Sequence, residues 1–354
     1  MKRLLELSEK ISNAFGASGF EDDVIEIIKK EVNLSTTVDS INNLYIGLEE
    51  IDSQKPVVAL DCHSDEVGFM VESIKENGLI TFLPLGGWYP GNIPAHAVII
   101  KNFKGEYIKG VVASKPPHFM TPEELNKLPR INELTIDIGT SSYSETAELY
   151  GIEVGNPIIP DVAFSYDEKI KIMRGKSFDN RLGCVSAIET LSRLSGEKLD
   201  INLVGNICAQ EEVGTRGAQV AAHRVKPDFV IVFEGSPADD TFKGGRDSHG
   251  ALRKGVQFRV IDGGMLSNPR VIAFAKEIAE ENKIPYQVIA REKGSTNGAK
   301  YHMLENGIPV IVIGIPTRYI HTHYSYSSVE DLEAGIKLAV EISKKLNCEV
   351  IKTF

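Results

Sequence analysis

Cysteine is scarce in this chain: four thiols, Cys62, Cys184, Cys208 and Cys348, stand alone among 354 residues. Their isolation excludes the paired spacing of a structural zinc site and fits reduced, mostly buried thiols in a cytoplasmic protein. Long apolar runs are missing too. Stretches such as 310–315 fall far short of the ~20 residues a membrane helix needs, and Met1–Lys10 breaks its leucines with charge before a secretory core could form. Positive charge is in deficit, with 39 Lys and Arg against 49 Asp and Glu and a formal net charge of -10. A nucleic-acid or anionic-membrane partner is thereby disfavoured, because phosphates must be neutralised by basic side chains. The acidic balance alone signals little beyond solubility. Repeats, linkers and low-complexity tracts do not stand out either.

What is present is the texture of a soluble protein long enough for one large domain and a smaller one. Leu4, Leu7, Ile11 and Phe15 fall on one helical face that stops at Gly16. Ser18 and Glu21 read as a capping box for a second helix carrying Val24, Ile25, Ile28 and Val32. The apolar run 57–60, ending at Asp61-Cys62-His63, reads as a buried strand of the parallel kind. From 68 to 159 the segments are short and alternating, with turn signals at Asn77-Gly78 and Lys104-Gly105 and a brief helical piece near 122–128. That stretch is expected to be a small all-β, barrel-like domain inserted into the main one, which then comprises 1–67 and 160–354. Beyond it, strands at 201–208, 229–233, 286–290 and 310–315 alternate with helices at 184–194, 271–282 and 328–346. The expected fold is α/β, a mostly parallel sheet with helices on both faces.

The polar residues that stand out follow the apolar strands. His63 and Asp65 come after the first, Glu211-Glu212 after 201–208, Glu234 after 229–233, and His321 shortly after 310–315, while Asp179 precedes a helix. Ligands of open α/β sheets bind beyond the carboxyl ends of the strands. Carboxylates gathered there repel one another unless cations lie between them. Imidazole and carboxylate donors suit zinc-like ions that keep a position open for water. Asp179, Glu212 and Glu234, with a bridging hydroxide and neutral His63 and His321, just neutralise two dications, whereas one ion leaves excess charge in a semi-buried cleft. Of the adjacent Glu211 and Glu212, one can bind metal while the other moves a proton from water to the leaving amine.

His63-Ser64-Asp65-Glu66-Val67-Gly68, Ser177-Phe178-Asp179-Asn180-Arg181, Gln210-Glu211-Glu212-Val213-Gly214, Gly217-Ala218 and Arg318-Tyr319-Ile320-His321-Thr322 resemble, in order, the motifs of the M42 metallo-aminopeptidases. That group includes glutamyl, deblocking and tetrahedral (TET) aminopeptidases. The resemblance implies two divalent ions per subunit, with zinc favoured and cobalt or manganese compatible. It implies His63 and Glu234 on one ion, Glu212 and His321 on the other, and Asp179 bridging. Asp65 would orient His63, and Glu211 would be the general base and acid. Substrates would be peptides with a free N-terminus. The β insertion would serve dimerisation and assembly into a homo-oligomer, as in the family's tetrahedral dodecamers.

Two positions depart from the family pattern. Glu234 stands where Asp is usual, which leaves Asp239 and Asp240 as substitutes, and Asn297 replaces an Asp near the expected substrate region. His323 is assigned a supporting or surface role, although a different loop path would let it bind metal. His249 and His118 are read as exposed loop residues, and His96, His223 and His302 have no supporting context. Arg318 and Tyr319 are expected to shape the His321 loop, and Gly263-Gly264 to form a turn rather than a phosphate loop. Two other functions remain open at this level: deacylation of N-acyl amino acids at the same metals, and a non-catalytic module that retains its ions.

Overall fold

The computed structural model describes the backbone of all 354 residues and every side chain except that of Arg246. Its larger part is an 11-stranded sheet. At the centre, Asn202–Cys208, Val57–His63, Phe229–Pro237 and Val310–Arg318 lie side by side and parallel. Antiparallel strands extend both edges, Thr36–Val38 and Leu44–Ile46 on one side and Ser325–Ser328, Ile172–Gly175 and Ser165–Asp167 on the other. Val256–Ile261 and Tyr286–Ala290 branch from Val310–Arg318.

The central runs are apolar without interruption because both of their faces are covered. Val58, Leu60, Phe229, Ile231 and Phe233 pack into the larger core under Lys2–Asn13, Phe178–Arg193 and Val329–Lys345. Ala59, Val230 and Val232 face the smaller core under Arg216–Val225. Val329–Lys345 begins where Ser328 accepts a hydrogen bond from the Glu330 amide at 3.2 Å.

Between Gly68 and Pro160 six strands close into a barrel in the order Gly68–Ile74, Ile80–Leu85, Ile136–Asp137, Tyr107–Val112, Ala97–Lys101 and Pro157–Pro160. Closure removes the sheet edges. Phe69, Val71, Phe82, Val98, Ile100 and Ile158 fill the interior. The turn signals hold. Ile74 pairs with Ile80 across Asn77-Gly78, where Gly78 has φ 84°, and Lys101 pairs with Tyr107 across Lys104-Gly105. Among the described residues, no helix is long and apolar enough to cross a membrane.

Two expectations are corrected. Ser18 and Glu21 do not form a capping box. The Ser18 hydroxyl donates to Asp65 at 2.6 Å, and Glu21 accepts the Gly19 amide at 2.7 Å and the Gln210 amide at the sheet rim at 3.1 Å, so neither side chain caps the helix. Pairing also carries Phe229–Pro237 and Val310–Arg318 past their apolar runs. Glu234 is therefore inside a strand rather than beyond one.

Candidate active site

The residues picked from the sequence converge at the carboxyl end of the parallel strands. His63, the last residue of Val57–His63, is fully buried. Its Nδ1 lies 3.2 Å from Asp65 Oδ1, and its Nε2 lies 3.3 Å from Asp179 Oδ1 and 3.8 Å from Glu211 Oε2. His321 Nε2 lies 3.6 Å from Asp179 Oδ2 and 3.4 Å from Glu212 Oε2. Donor atoms of His63, Asp179 and Glu234 fall within 4.8 Å of one another, as do those of Asp179, Glu212 and His321, and those of His63, Glu211 and Glu212. Asp179 is common to the first two groups. Its backbone leaves helical geometry (φ -87°, ψ 103°), which breaks the start of Phe178–Arg193 and turns the carboxylate toward the rim. Gly235 makes room for it, since a Cβ there would sit 2.5 Å from Asp179 Cα.

The divergence of Glu211 and Glu212 has a backbone cause. Asp65 Oδ1 accepts the Glu211 amide at 2.9 Å and Oδ2 accepts the Glu212 amide at 3.1 Å. Glu21 Oε1 accepts the preceding Gln210 amide at 3.1 Å, where the chain is left-handed (φ 54°). Two carboxylates thus grip three successive amides. From this clamp Glu211 reaches toward His63 and Glu212 toward His321. Behind it lies a second buried cluster, in which Glu66 accepts from Lys176 Nζ at 2.7 Å and from Arg181 Nη2 at 3.0 Å. Arg181 also bonds the Ile11 and Gly16 carbonyls, tying the first helix and its exit to the rim. Sequence reading missed Ser18, Glu21 and Lys176 because each is an ordinary residue until its distant partner is known.

The charges conflict. Burial pushes Glu211 up to about 7, and burial aided by neighbouring carboxylates holds Glu212 and Glu234 well above the usual carboxylate range. For Asp179 burial acts the same way but is outweighed by bonds to His321 and His63, so its carboxyl lies well below that range. Burial disfavours a charged His63, yet Glu211, Asp179 and Asp65 raise it well above normal, and Glu212 and Asp179 lift His321 to about 10 in the same way. Except at Asp179, these shifts favour a lower net negative charge in the cluster, the same condition that a bound cation would meet. Glu212 Oε1 is moreover buried without a hydrogen-bond partner. A buried orphan oxygen in a cluster of two imidazoles and several carboxylates fits divalent ions better than an apo arrangement.

The alternatives for the Glu234 position are occupied elsewhere. Asp239 accepts from Ser248 Oγ and the His249 amide, both at 2.8 Å, and Asp240 holds Arg318 through two bonds of 2.8 and 2.6 Å. Arg318 therefore braces the His321 turn from its base. Gly263-Gly264 is a turn, with the Gly264 amide donating to Asp262 at 2.8 Å. His118 and His249 are exposed. His96, which had no context in the sequence, stacks on His323 with ring centroids 4.0 Å apart. Neither is in the donor cluster.

Asn297 is buried, and its Nδ2 donates to Asp61 Oδ1 at 2.8 Å. Asp61 also accepts from Tyr301 Oη at 2.7 Å and from Cys208 Sγ at 3.0 Å, and burial pushes its carboxyl up to about 6. An Asp at 297 would set carboxylate against carboxylate. Asn297→Asp is expected to cost roughly 3 kcal/mol of stability, with Asp61→Asn in the same chain restoring most of it. Equal melting temperatures for the single variant and the wild type would contradict this pairing.

Fold and site together define a hydrolase of mixed α/β architecture, with an imidazole–carboxylate cluster at the rim of a mostly parallel sheet and a barrel inserted into the chain. Residues 42–338 match the M42 glutamyl aminopeptidase family, and the chain belongs to that family of peptidases. FrvX of Escherichia coli (strain K12) is 33% identical over 99% of this chain and 98% of its own length. The glutamyl aminopeptidase of Lactococcus lactis subsp. cremoris (strain MG1363) is 30% identical over 98% of each. The crystal structure of the TET aminopeptidase from the marine sediment archaeon Thaumarchaeota archaeon SCGC AB-539-E09 superposes with a TM-score of 0.93 at 34% identity, covering 99% of both chains. The enzyme is a hydrolase acting on peptides.

Proposed function

We propose that the chain is a dinuclear metallo-aminopeptidase, with His63 and Glu234 serving one ion, Glu212 and His321 the other, and Asp179 both. One observation carries this reading: the Asp179 carboxylate belongs to two donor groups at once, one with each histidine. Zinc is the first choice for both positions, and the donor set also admits cobalt or manganese. Bound ions would acidify a water and polarise the scissile carbonyl. The protein's own part is then proton handling. Glu211, half-buried beside His63 and held by the Asp65 clamp, accepts the proton of the attacking water at its carboxylate. It returns that proton to the departing amine. Asp65 keeps the His63 ring aimed through Nδ1 and sets the Glu211 backbone at the same time.

In the same reading, residues 1–67 and 160–354 form the catalytic unit, and 68–159 serve assembly of a homo-oligomer such as a tetrahedral dodecamer. Large apolar side chains exposed on the insertion, Phe119 and Leu125 among them, support a packing role for that surface. Free thiols at Cys62, Cys184 and Cys208 support work in the cytoplasm.

A panel of aminoacyl-anilides with added Zn²⁺ or Co²⁺ tests the activity. Release is expected from free-amine substrates and not from their N-acetylated counterparts. The reverse pattern would make the protein a deacylase, and an absence of turnover despite bound metal would make it a non-catalytic module.

A further inference from the structure

The turn that carries His321 is poorly determined by its own backbone. It joins Val310–Arg318 to Ser325–Ser328, and both Tyr319 (φ 60°) and His321 (φ 57°) occupy the left-handed region that side chains rarely adopt. Thr322 offers local bonds to the Tyr319 and Tyr324 carbonyls, at 2.8 and 2.9 Å, but these lie within the turn and do not attach it to anything. Outside the insertion, Asp240 holds Arg318 at the base of the turn and Phe242 and Tyr326 pack on Tyr319, but from His321 onward the attachment comes from the barrel insertion. The His321 Nδ1–H donates to the Gly87 carbonyl at 2.9 Å. Two residues on, His323 is buried to 1% exposure between two rings of the same insertion. It stacks on His96 at 4.0 Å with planes 20° apart, and it meets Trp88 at 5.2 Å. Both partners are themselves fixed. Trp88 stacks on Phe69 of the barrel core at 4.7 Å and donates its Nε1–H to the Gly68 carbonyl at 3.1 Å, while His96 Nδ1 donates to the Pro94 carbonyl at 3.1 Å.

The chemistry of His323 itself is unexpected for such a position. Both of its ring nitrogens are buried without a well-formed hydrogen bond, the Asn92 backbone of the insertion offering at most a weak one. With its nitrogens so weakly engaged, the residue contributes chiefly the shape and π-face of its ring.

We infer that His323 is a positioning residue, an aromatic peg that locks the His321 turn onto the barrel insertion and so presents the His321 imidazole to Asp179 and Glu212. The inference rests on the two-ion reading of the site. It goes beyond that reading by making the insertion part of the second ion's support, through Trp88, His96 and the Gly87 carbonyl, and by giving His323 a role that needs no nitrogen.

The test uses the full chain, stripped of metal, dialysed against buffered Zn²⁺ and assayed for ions per subunit by atomic absorption, with a thermal melt to check folding. The wild type is expected to take up two ions. His323→Ala should retain one and bind the second about 100-fold more weakly, the upper end of the loss seen when the support of a metal ligand is removed. His323→Phe keeps the ring and discards both nitrogens, so it should bind two ions with affinities within about threefold of the wild type and melt no lower. If the Phe variant loses the second ion, the nitrogens matter and the peg is wrong. If the Ala variant binds both ions as tightly as the wild type, the stack is not needed and the peg is equally wrong. Should the Ala variant fail to fold, the Phe variant decides alone. A wild type that takes up fewer than two ions would instead overturn the two-ion reading, and the peg with it.

Discussion

Glu211→Gln should leave two ions per subunit and lower kcat by roughly 10²–10⁴-fold, the range for loss of a positioned general base. The substitution is nearly isosteric, and the backbone bond from the Glu211 amide to Asp65 does not involve the side chain. The local geometry is therefore expected to survive while the proton acceptor is lost. Metal analysis beside steady-state kinetics separates two outcomes. Retained ions with low kcat place Glu211 in proton transfer. Loss of an ion would make Glu211 a ligand, an alternative given substance by its grouping with His63 and Glu212. Turnover like that of the wild type would remove Glu211 from the mechanism.

Asp179→Asn should be still more damaging. Its two oxygens face different histidines, Oδ1 toward His63 and Oδ2 toward His321. An amide keeps the shape but presents an NH₂ to one of them and supplies no charge. Removing an outer partner of a metal ligand already costs about 10–100-fold in affinity, so a shared ligand should cost more at both positions. The expected result is a folded chain by circular dichroism, with neither ion held at micromolar Zn²⁺ and no measurable peptidase activity. Chelation of the wild type should reach the same inactive state, and added Zn²⁺ should rescue only the wild type. Full ion content in Asp179→Asn would break the shared-carboxylate reading.

Local pattern carried much of the architecture. Runs such as 229–233 and 310–315 announce strands covered on both faces, and turn residues at Asn77-Gly78 and Lys104-Gly105 announce hairpins of the barrel. These features depend on neighbours a few residues away, where hydrophobic period and turn chemistry act. The donors could also be picked out, because histidines and adjacent carboxylates following apolar runs are rare and chemically distinctive. The residues that hold them could not. Ser18 and Glu21 have the spacing of a helix cap, and only the approach of Asp65 and the Gln210 amide gives them other partners. Asn297 has no visible partner in the sequence, and only the fold brings Asp61, 236 residues away in the chain, against it.

By itself, the amino-acid sequence determined the two-part architecture and the donors that meet at the rim, since hydrophobic periodicity and distinctive residue chemistry are written locally. Tertiary structure alone decided that Glu234 enters from within a strand, that one clamp sends Glu211 and Glu212 to different histidines, and that His323 is a stacked ring in the barrel's grip. Those outcomes depend on which distant surfaces pack together and on which buried polar groups must then find partners, and no short window of sequence contains both sides of such a contact.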